Sequence, residues 1–523
     1  MAAIITDQFR IINANNFMDD VTSGNNSYYA FLGLANPTIA GFGRTDTWNS
    51  TTVQPPSPTD SINYNNHVYD TMLFGRKVFP GDVRRLIRKV TWTKGTSYDM
   101  YRHDYSTTNR SLVSNSSRLY SANYYVMNKD YRVYVCINNG SAGISTIASA
   151  SLDEPTFTDL EPSAAGVSGD SYLWKYMFTV PPADIVKFDS TEYIAVPNEW
   201  ETTTNADIKV VRDNGDSEAN NNQIKVVSID ESGVGYSFLS SPIEVDIVGD
   251  GTGGKVRILT NTNGQIISAQ VTNGGRGYSY ARVDLSSING SATKFAKLTP
   301  IIPPSVGHGY NAYKELGTDK VLIYTRFDAS SYDFATDTKF AQVGLIRNPT
   351  AIGAAGTNFL QTSEFSGLKA LKFTGNTSQT LGIGTQIEQN IPGVGTARAY
   401  VASYDIDTKV IKYFQDRSLS YNQLTHDQTD SREVNNQAPV LDFQSTANAV
   451  TSTAFSVNID QTFSGISTTT PAGKVVDLGA QFTNGLSNAE INKRSGEIIY
   501  LDNRPSITRN VRQKEDIKIV LEF

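Results

Sequence analysis

The chain has 523 residues, of which 39% are hydrophobic and 10% aromatic, so its composition excludes a disordered protein. Its formal net charge of −7 has the opposite sign from that of a protein whose main task is to bind nucleic acid. The single cysteine, Cys136, excludes an intrachain disulfide and a multi-cysteine metal site. No apolar run approaches the ~20 residues of a membrane-spanning helix, and the start lacks a signal-peptide pattern. We therefore expect a protein made and assembled in a reducing cytoplasm.

The first ninety residues combine short apolar runs with loops. Residues 48–60 contain three prolines and should be extended. Apolar residues three and four positions apart then predict a short helix over residues 82–90, which Asp82 can cap. The apolar residues of this helix are Val83, Leu86, Ile87 and Val90. Its opposite face would carry Arg84, Arg85, Arg88 and Lys89. Such a face is usually solvated or paired with carboxylates, so we expect no nucleic-acid partner.

Strand patterns dominate from residue 120 to residue 140. Residues 131–137 alternate in a way that places Val133 and Val135 on one face and Tyr134 and Cys136 on the other. A polar loop then leads into the apolar segment SYLWKYMFTVPP, residues 171–182, which its two final prolines end. This part of the chain is therefore predicted to be β-rich.

Residues 223–238 and 265–280 are two copies of one motif. The first reads QIKVVSIDESGVGYSF, and the second, QIISAQVTNGGRGYSY, begins 42 residues later. Both end in G-x-G-Y, whose glycines we expect at turns or bulges where no side chain fits. Asn263-Gly264 predicts a type I′ hairpin turn. Two copies are too few for a solenoid, so the motif predicts a small paired β-subdomain.

The rest of the chain continues as short strands with polar turns, such as KVLIYTRF, residues 320–327. Alternating apolar residues predict a strand at Glu515–Phe523, paired within a sheet and docked near an N-terminal strand around Ile4–Ile12. The predicted fold is mainly β and multidomain, with β-sandwich- or barrel-like domains and few short helices. Its expected parts are a core domain from 1–90 plus 485–523, a β-rich domain at 91–200, the duplicated subdomain at 201–300, and a further β-rich domain at 301–484.

Motifs for cofactors and catalysis are weak. Residues 249–255, GDGTGGK, have the spacing of phosphate- and dinucleotide-binding loops, but Val256 and a strand-like run follow where a hydroxyl and a helix are needed. We interpret these glycines as a turn between strands. The histidines are far apart, and no zinc or hydrolase motif accompanies them: His67, His103, His308 and His426. We therefore expect no cofactor, no metal site and no catalytic residues.

Several stretches resemble the homodimeric wedge subunit of baseplates in T-even-type contractile-tailed bacteriophages. They occur in the family's order: FGRTDTWNS (42–50), PPSPTDS (55–61), YLWKYMFTVPP (172–182), EYIAVP (192–197), SGEIIYLDNRPSI (495–507) and EDIKIVLEF (515–523). The resemblance covers roughly residues 1–200 and 485–523. Residues 201–484 stand where the compact family members have a much shorter segment.

The resemblance implies a structural, non-enzymatic subunit of the virion's tail baseplate. Such a subunit would bind other baseplate wedge proteins and itself as a homodimer, without a nucleic-acid or membrane partner. The resembling stretches contain our candidate contact residues: Phe42, Arg44, Trp48, Trp174, Tyr176, Tyr500, Asn503 and Arg504. Two alternatives belong to other classes. A receptor- or glycan-binding tail protein would suit the G-x-G-Y repeats and exposed tyrosines, and a tail-associated hydrolase would need a deep pocket with paired carboxylates.

Overall fold

The structure is a computed structural model of the chain, and it confirms a mainly β, multidomain fold. It describes residues 5–34, 55, 57–58, 60, 62–140, 148–215, 217, 221–288, 290–328, 339–354, 358–377, 381–382, 384–415, 441–453, 455–508 and 513–523.

Strands outnumber helices throughout the described part of the chain. Up to residue 200 the elements are α1 (Asp7–Thr22), β1 (Tyr28–Gly33), α2 (Ile62–Thr71), β2 (Met72–Lys77), β3 (Val83–Arg88), β4 (Tyr125–Met127), β5 (Arg132–Asn139), β6 (Tyr172–Thr179), α3 (Pro182–Phe188) and β7 (Tyr193–Val196). From there to residue 300 they are α4 (Ala206–Gly215), β8 (Val227–Glu231), β9 (Ile243–Gly249), β10 (Thr252–Thr260), β11 (Ile266–Arg276), β12 (Ala281–Val283) and β13 (Lys297–Pro300).

The remaining elements follow residue 300. They are α5 (Ala312–Leu316), β14 (Lys320–Phe327), β15 (Lys339–Arg347), β16 (Glu364–Ser366), β17 (Lys369–Lys372), β18 (Gln386–Ile391), β19 (Gly395–Asp405), β20 (Val410–Phe414), β21 (Val450–Thr451), β22 (Ser456–Val457), β23 (Gly465–Thr469), β24 (Val475–Phe482), β25 (Leu486–Ser487), β26 (Glu497–Thr508) and β27 (Glu515–Glu522).

The chain divides into two compact units. Unit 1 takes the residues up to Met18, Val83–Leu322 and Ile519–Phe523. Unit 2 takes Asp19–Asp82 and Ile323–Lys518. Each unit therefore combines segments that are far apart in the sequence, and each has its own hydrophobic cores.

The main core of unit 1 forms around the antiparallel sheet β4-β5-β6. The predicted strand at 131–137 is confirmed as β5, and both of its faces are covered, because Val133, Tyr134, Val135 and Cys136 are all fully buried. The apolar segment at 171–182 contains strand β6, and the prolines that end the segment begin α3. Large aromatic side chains fill this core, which is what their share of the composition favours.

The helix predicted over residues 82–90 is wrong. Val83–Arg88 is strand β3, which pairs with β7, and its apolar side chains are buried on both faces, because the neighbours Leu86 and Ile87 are both buried. A six-residue strand covered on both sides shows no alternation, and its apolar spacing can imitate one face of a helix. Asp82 ends a 3-10 turn before the strand, where its carboxylate accepts a hydrogen bond from the Phe79 amide at 3.3 Å.

The N-terminal strand expected around Ile4–Ile12 is also wrong, because Asp7–Thr22 is the sixteen-residue helix α1. Its buried residues recur three or four positions apart along one face: Ile11, Ala14, Met18 and Val21. The C-terminal strand is confirmed as β27, paired at the edge of a sheet. Within unit 1 its end contacts α1, because the rings of Phe17 and Phe523 lie 5.6 Å apart.

The duplicated motif is also duplicated in the backbone, over residues 221–260 (copy 1) and 263–302 (copy 2). Strand β11 pairs with β10 in the same register as β8 pairs with β13, and a β-bulge interrupts both ladders at the equivalent residues Lys255 and Lys297. The two copies bond to each other reciprocally through backbone N–H and C=O groups: Ile224 to Gly274 (3.1 Å) and Ile266 to Ser232 (2.9 Å), Tyr278 to Asn222 (3.3 Å) and Tyr236 to Gly264 (3.1 Å). The copies therefore form a pair with local two-fold pseudosymmetry, and they share a core.

The G-x-G-Y motif makes a turn closed by its own tyrosine. Gly233 and Gly275 have φ of +66° and +60°, and a Cβ on either would lie 2.6 or 2.7 Å from the ring of Tyr236 or Tyr278. The glycines are thus required both by backbone conformation and by space, as predicted. The predicted type I′ turn at Asn263-Gly264 is wrong, since only the glycine has a positive φ. The Asn261 side chain accepts hydrogen bonds from the amides of Asn263 and Gln265, and it closes a longer turn.

Unit 2 contains two larger sheets. One has the order β16-β2-β1-β15-β26, and its central strand β1 is buried at every position. The other has the order β22-β21-β18-β19-β20-β17-β25 and covers a separate core. A two-stranded ribbon, β23-β24, completes the described part of the unit.

Candidate interaction surface

The candidate contact residues lie in three places. Phe42, Arg44 and Trp48 lie outside the described residues. Trp174 and Tyr176 are on β6 in unit 1, and Tyr500, Asn503 and Arg504 are on β26 in unit 2. Among the described candidates, Trp174 and Tyr176 are neighbours on β6, and the other three are neighbours on β26.

Trp174 and Tyr176 have packing roles in unit 1. Trp174 is fully buried and stacks on Tyr172, with ring centroids 5.3 Å apart and an interplanar angle of 14°. Tyr176 is 6% exposed, and its ring lies against Tyr134 at 5.8 Å. Buried rings of this kind stabilise the sheet that carries a surface.

The residues on β26 differ from one another in exposure. Asn503 is buried in a polar cluster, where its amide donates to the Tyr64 hydroxyl at 2.6 Å and its carbonyl oxygen accepts from the Gln342 amide at 3.0 Å. Tyr500 is half-buried. Arg504 is exposed and pairs with Asp502 at 2.5 Å. Of the three candidates on β26, Tyr500 and Arg504 are therefore the ones that a partner can reach.

The four cations at residues 84–89 are used inside unit 1. Each contacts a polar group of the same unit: Arg84 with Asp184 (2.9 Å), Arg85 with Asn15 (2.7 Å), Arg88 with the Ala122 carbonyl (2.8 Å) and Lys89 with Asp189 (2.7 Å). The salt-bridging role expected from the sequence is confirmed for Arg84 and Lys89.

An apolar stripe on helix α1 is a surface that sequence reasoning missed. Ile5, two residues before the helix, and Phe9 and Ile12 in its first turns recur three or four positions apart, and they are 55%, 52% and 48% exposed. The opposite face is held to unit 1 by Asp7, which pairs with Arg118, and by Arg10, 3.9 Å from Glu522. The helix therefore presents this stripe to the surroundings, and such stripes mark contact sites. The 3.6-residue spacing was visible in the sequence.

Groups for catalysis or metal binding are scattered. Across the described ranges, no three His, Cys, Asp or Glu side chains are grouped so as to hold a metal ion. His308 is engaged by Glu315 at 2.6 Å, and the Nδ1 atom of His103 accepts a hydrogen bond from the Ile302 amide at 3.1 Å. Burial lowers the pKa of His103. Within the glycine-rich residues 249–255, Asp250 and Gly251 connect β9 to β10, so this segment is a turn between strands, as expected.

The fold defines a class of protein, namely a mainly β, multidomain protein. None of the helices in the described ranges has both the length and the apolar character needed to cross a bilayer. No protein-family model matches the chain.

The chain is similar to a known structural protein, baseplate wedge protein gp8 of Enterobacteria phage T4, with 27% identity over 216 residues. The similar region covers 37% of this chain and 60% of that protein, so the chain spans less than two thirds of its relative's length. The similarity supports a distant relation to baseplate wedge proteins over part of the chain.

Proposed function

We propose that this protein is a structural subunit of a phage tail baseplate, where it connects wedge proteins through protein–protein contacts. The similarity to baseplate wedge protein gp8 is the observation that carries this proposal. The mainly β architecture supports it, because rigid sheets present large surfaces at low entropic cost. We infer no enzymatic activity, and we place the protein in the virion's tail baseplate after assembly in the host cytoplasm.

The proposed partners are other baseplate wedge proteins and a second copy of this chain. A building block of this kind needs a large contact, above ~1,200 Å² in total. The residues that we propose for contacts are the eight candidates named above, of which Tyr500 and Arg504 are accessible on β26. The stripe Ile5, Phe9 and Ile12 on α1 extends this set towards a neighbouring wedge protein. The four-part division of the chain at residues 90, 200, 300 and 485 stays a prediction.

Co-assembly tests the proposed role directly. The tagged full-length chain is expressed with the other baseplate proteins of the same phage, and complexes are isolated by affinity capture and size exclusion. We expect a stable complex of defined stoichiometry. Light scattering on the chain alone should give the mass of a dimer. Finding the chain alone after capture, and monomeric both free and in assembled wedges, contradicts the proposal.

The stripe on α1 has its own matched test. The double variant Phe9→Ser, Ile12→Ser removes two apolar side chains from the exposed face while the buried face stays intact. We expect at least a ten-fold loss of complex formation at unchanged melting temperature, because truncating central apolar anchors costs more than 1 kcal/mol each. The control is Val186→Ser on α3, an exposed apolar residue outside the stripe. Equal losses in both variants argue against the stripe.

A further inference from the structure

An open polar cleft lies where the two copies of the duplicated motif meet. Its volume is about 340 Å³, within the range of small-ligand sites. Six residues line it, all in unit 1: Asn221, Asp250, Gly251, Thr252, Arg276 and Gly277. Copy 1 contributes four of these residues and copy 2 contributes Arg276 and Gly277. The two glycines leave the backbone accessible, because no side chain covers it there.

The carboxylate in this cleft is held in place. One oxygen of Asp250 accepts hydrogen bonds from the amides of Ser279 and Tyr280, at 2.9 and 3.2 Å. The other accepts from the Ser279 hydroxyl at 2.5 Å. These bonds lower the pKa of Asp250 to about 2, so the group is an ionised acceptor at neutral pH. An oriented acceptor is what a hydroxyl-rich ligand requires.

The local two-fold pseudosymmetry relates this cleft to a second position, which lacks both of its charged side chains. Moving 42 residues along the sequence replaces Asp250 by Ala292 and exchanges Arg276 for Val234. The equivalent of Gly253 is Phe295, which is 70% exposed. The other equivalents of the lining stay polar or glycine, because Asn263, Thr293, Lys294 and Gly235 stand for Asn221, Gly251, Thr252 and Gly277. The carboxylate and the guanidinium thus occur together at one of the two pseudosymmetric positions, and this pair points to a ligand there.

We propose that this cleft binds a neutral saccharide. Its lining offers an ionised acceptor, a guanidinium donor, an amide and a hydroxyl, the set that neighbouring sugar hydroxyls pair with. One carboxylate and one guanidinium balance in charge, which disfavours a strongly anionic ligand. Tyr280 lies beside this lining, because its own amide is one of the two that hold Asp250, and the residue is 65% exposed. It supplies an aromatic face for the apolar side of a sugar ring.

Ligand-observed NMR titration of the full-length protein tests the proposal. The probes are maltotriose, cellotriose, chitotriose and a β-linked galactotriose, each to about ten times a Kd of ~1 mM, the affinity expected of a small open site. We expect at least one to bind saturably. Arg276→Ala should weaken that binding at least ten-fold, and Tyr280→Ala at least three-fold. The matched controls Arg282→Ala and Phe238→Ala, exposed residues of the same subdomain outside the cleft, should change it less than two-fold.

Three outcomes overturn the saccharide assignment. They are no saturable binding of any probe, binding that survives Arg276→Ala, and displacement of the probe by millimolar inorganic phosphate, which would mark an anion site. Thr252→Val, which removes one hydroxyl from the lining, is a second variant in case Arg276→Ala melts early. The proposal does not rest on the wedge role, because co-assembly is measured separately and Arg276→Ala should leave it unchanged.

Discussion

Copy 1 and copy 2 share the register of their paired strands and make reciprocal hydrogen bonds, yet they have different surroundings. Strand β8 of copy 1 faces the rest of unit 1, where Arg102 donates to the Ser228 hydroxyl at 3.0 Å and to Asp230 at 3.1 Å. The equivalent strand β11 of copy 2 is an edge strand whose residues are largely exposed or half-buried. Gln270 and Thr272 replace Ser228 and Asp230 there. Copy 1 is thus attached to the rest of unit 1 through β8, whereas the equivalent strand of copy 2 is largely exposed.

The largest expected loss of stability comes from removing the Arg102 side chain that attaches β8 to the rest of unit 1. Arg102→Met removes the guanidinium that bridges Asp104 and Asp230 with its side chain only 11% exposed. We expect a loss of about 3 kcal/mol, because the carboxylates lose their counter-charge. Hydrogen exchange should accelerate in Val227–Glu231 more than in Ile266–Arg276. Arg282→Met, at an exposed site of the same subdomain, should change stability by less than about 0.5 kcal/mol.

The same variant has a predicted acid signature. Burial alone would raise the pKa of Asp230 and Asp104, but hydrogen bonds and charge from Arg102 outweigh it, and both pKa values are lowered. The stability that this provides is present above the unfolded pKa of 3.8 and is lost as pH falls through the folded pKa. Melting temperatures at pH 5, 4 and 3.5 should fall more steeply in the wild type than in Arg102→Met. Parallel curves would show that Arg102 does not set these pKa values.

The next largest loss of stability is expected at the glycine that both copies have in the G-x-G-Y turn. Gly275→Ala places a Cβ 2.5 Å from the Thr252 carbonyl oxygen at a φ of +60°, so overpacking and strain act together. We expect a loss of about 2–4 kcal/mol. Gly233→Ala should cost a similar amount. Gly253→Ala is the control, since φ there is +78° but no atom lies within 4 Å, and only about 1–2 kcal/mol should be lost. Thermal unfolding orders the three variants, and a Gly253→Ala loss equal to that of Gly275→Ala would contradict the role of close packing.

A smaller effect separates the two buried tyrosines. The Tyr278 hydroxyl donates to the Ile247 carbonyl at 2.9 Å and accepts from the Gly254 amide at 3.0 Å. The Tyr236 hydroxyl accepts from the Ala296 amide at 2.8 Å. Tyr278→Phe should therefore cost about 2 kcal/mol and Tyr236→Phe about 1 kcal/mol. The shift in melting temperature measures the difference, and the reverse order would show that burial rather than hydrogen bonding decides it.

Much of this subdomain could be predicted from the sequence. The G-x-G-Y glycines repeat in both copies, so the duplication and its turns were detectable at residues 223–238 and 265–280. The full length of the repeat was not, although Lys255-Val256 and Lys297-Leu298 occupy the same bulge. The cleft could not be predicted, because Asp250 and Arg276 meet only through the pairing of the two copies.

The errors elsewhere arise where the local sequence does not determine the secondary structure or the burial of a residue. Val83–Arg88 is too short for periodicity to separate a helix from a strand covered on both faces. The sequence before and within the first turns of helix α1 contains β-branched residues that favour strands locally: Ile4, Ile5, Ile11 and Ile12. The face of α1 with Ile11 and Ala14 is buried because it packs against other residues of unit 1. Likewise, Trp174 carries a family-like motif, but only the fold shows that its ring is buried.

The smallest expected effect concerns Lys225 of copy 1, which copy 2 replaces with Ile267. Lys225 pairs with Glu161 at 2.7 Å and is one of the charges that act on the buried Lys175, together with Glu161 and Glu315. The pKa of Lys175 is lowered from 10.5 to about 8, mainly by burial, and the positive charge of Lys225 contributes to this lowering. Between pH 8 and 10.5 the unfolded chain therefore binds more protons at this residue, and stability rises with pH.

Lys225→Gln removes this repulsion, so the pKa of Lys175 should rise and the alkaline gain in stability should shrink. At neutral pH the variant also loses a partly exposed ion pair, and we expect a net change within about 1 kcal/mol. Urea unfolding at pH 7, 8, 9 and 10 measures the slope. Lys255→Gln is the control, because it breaks an exposed ion pair with Asp246 and should keep the wild-type slope up to pH 10. If both variants keep that slope, the charge of copy 1 does not reach Lys175, and attachment rests on the Arg102 contacts and on packing.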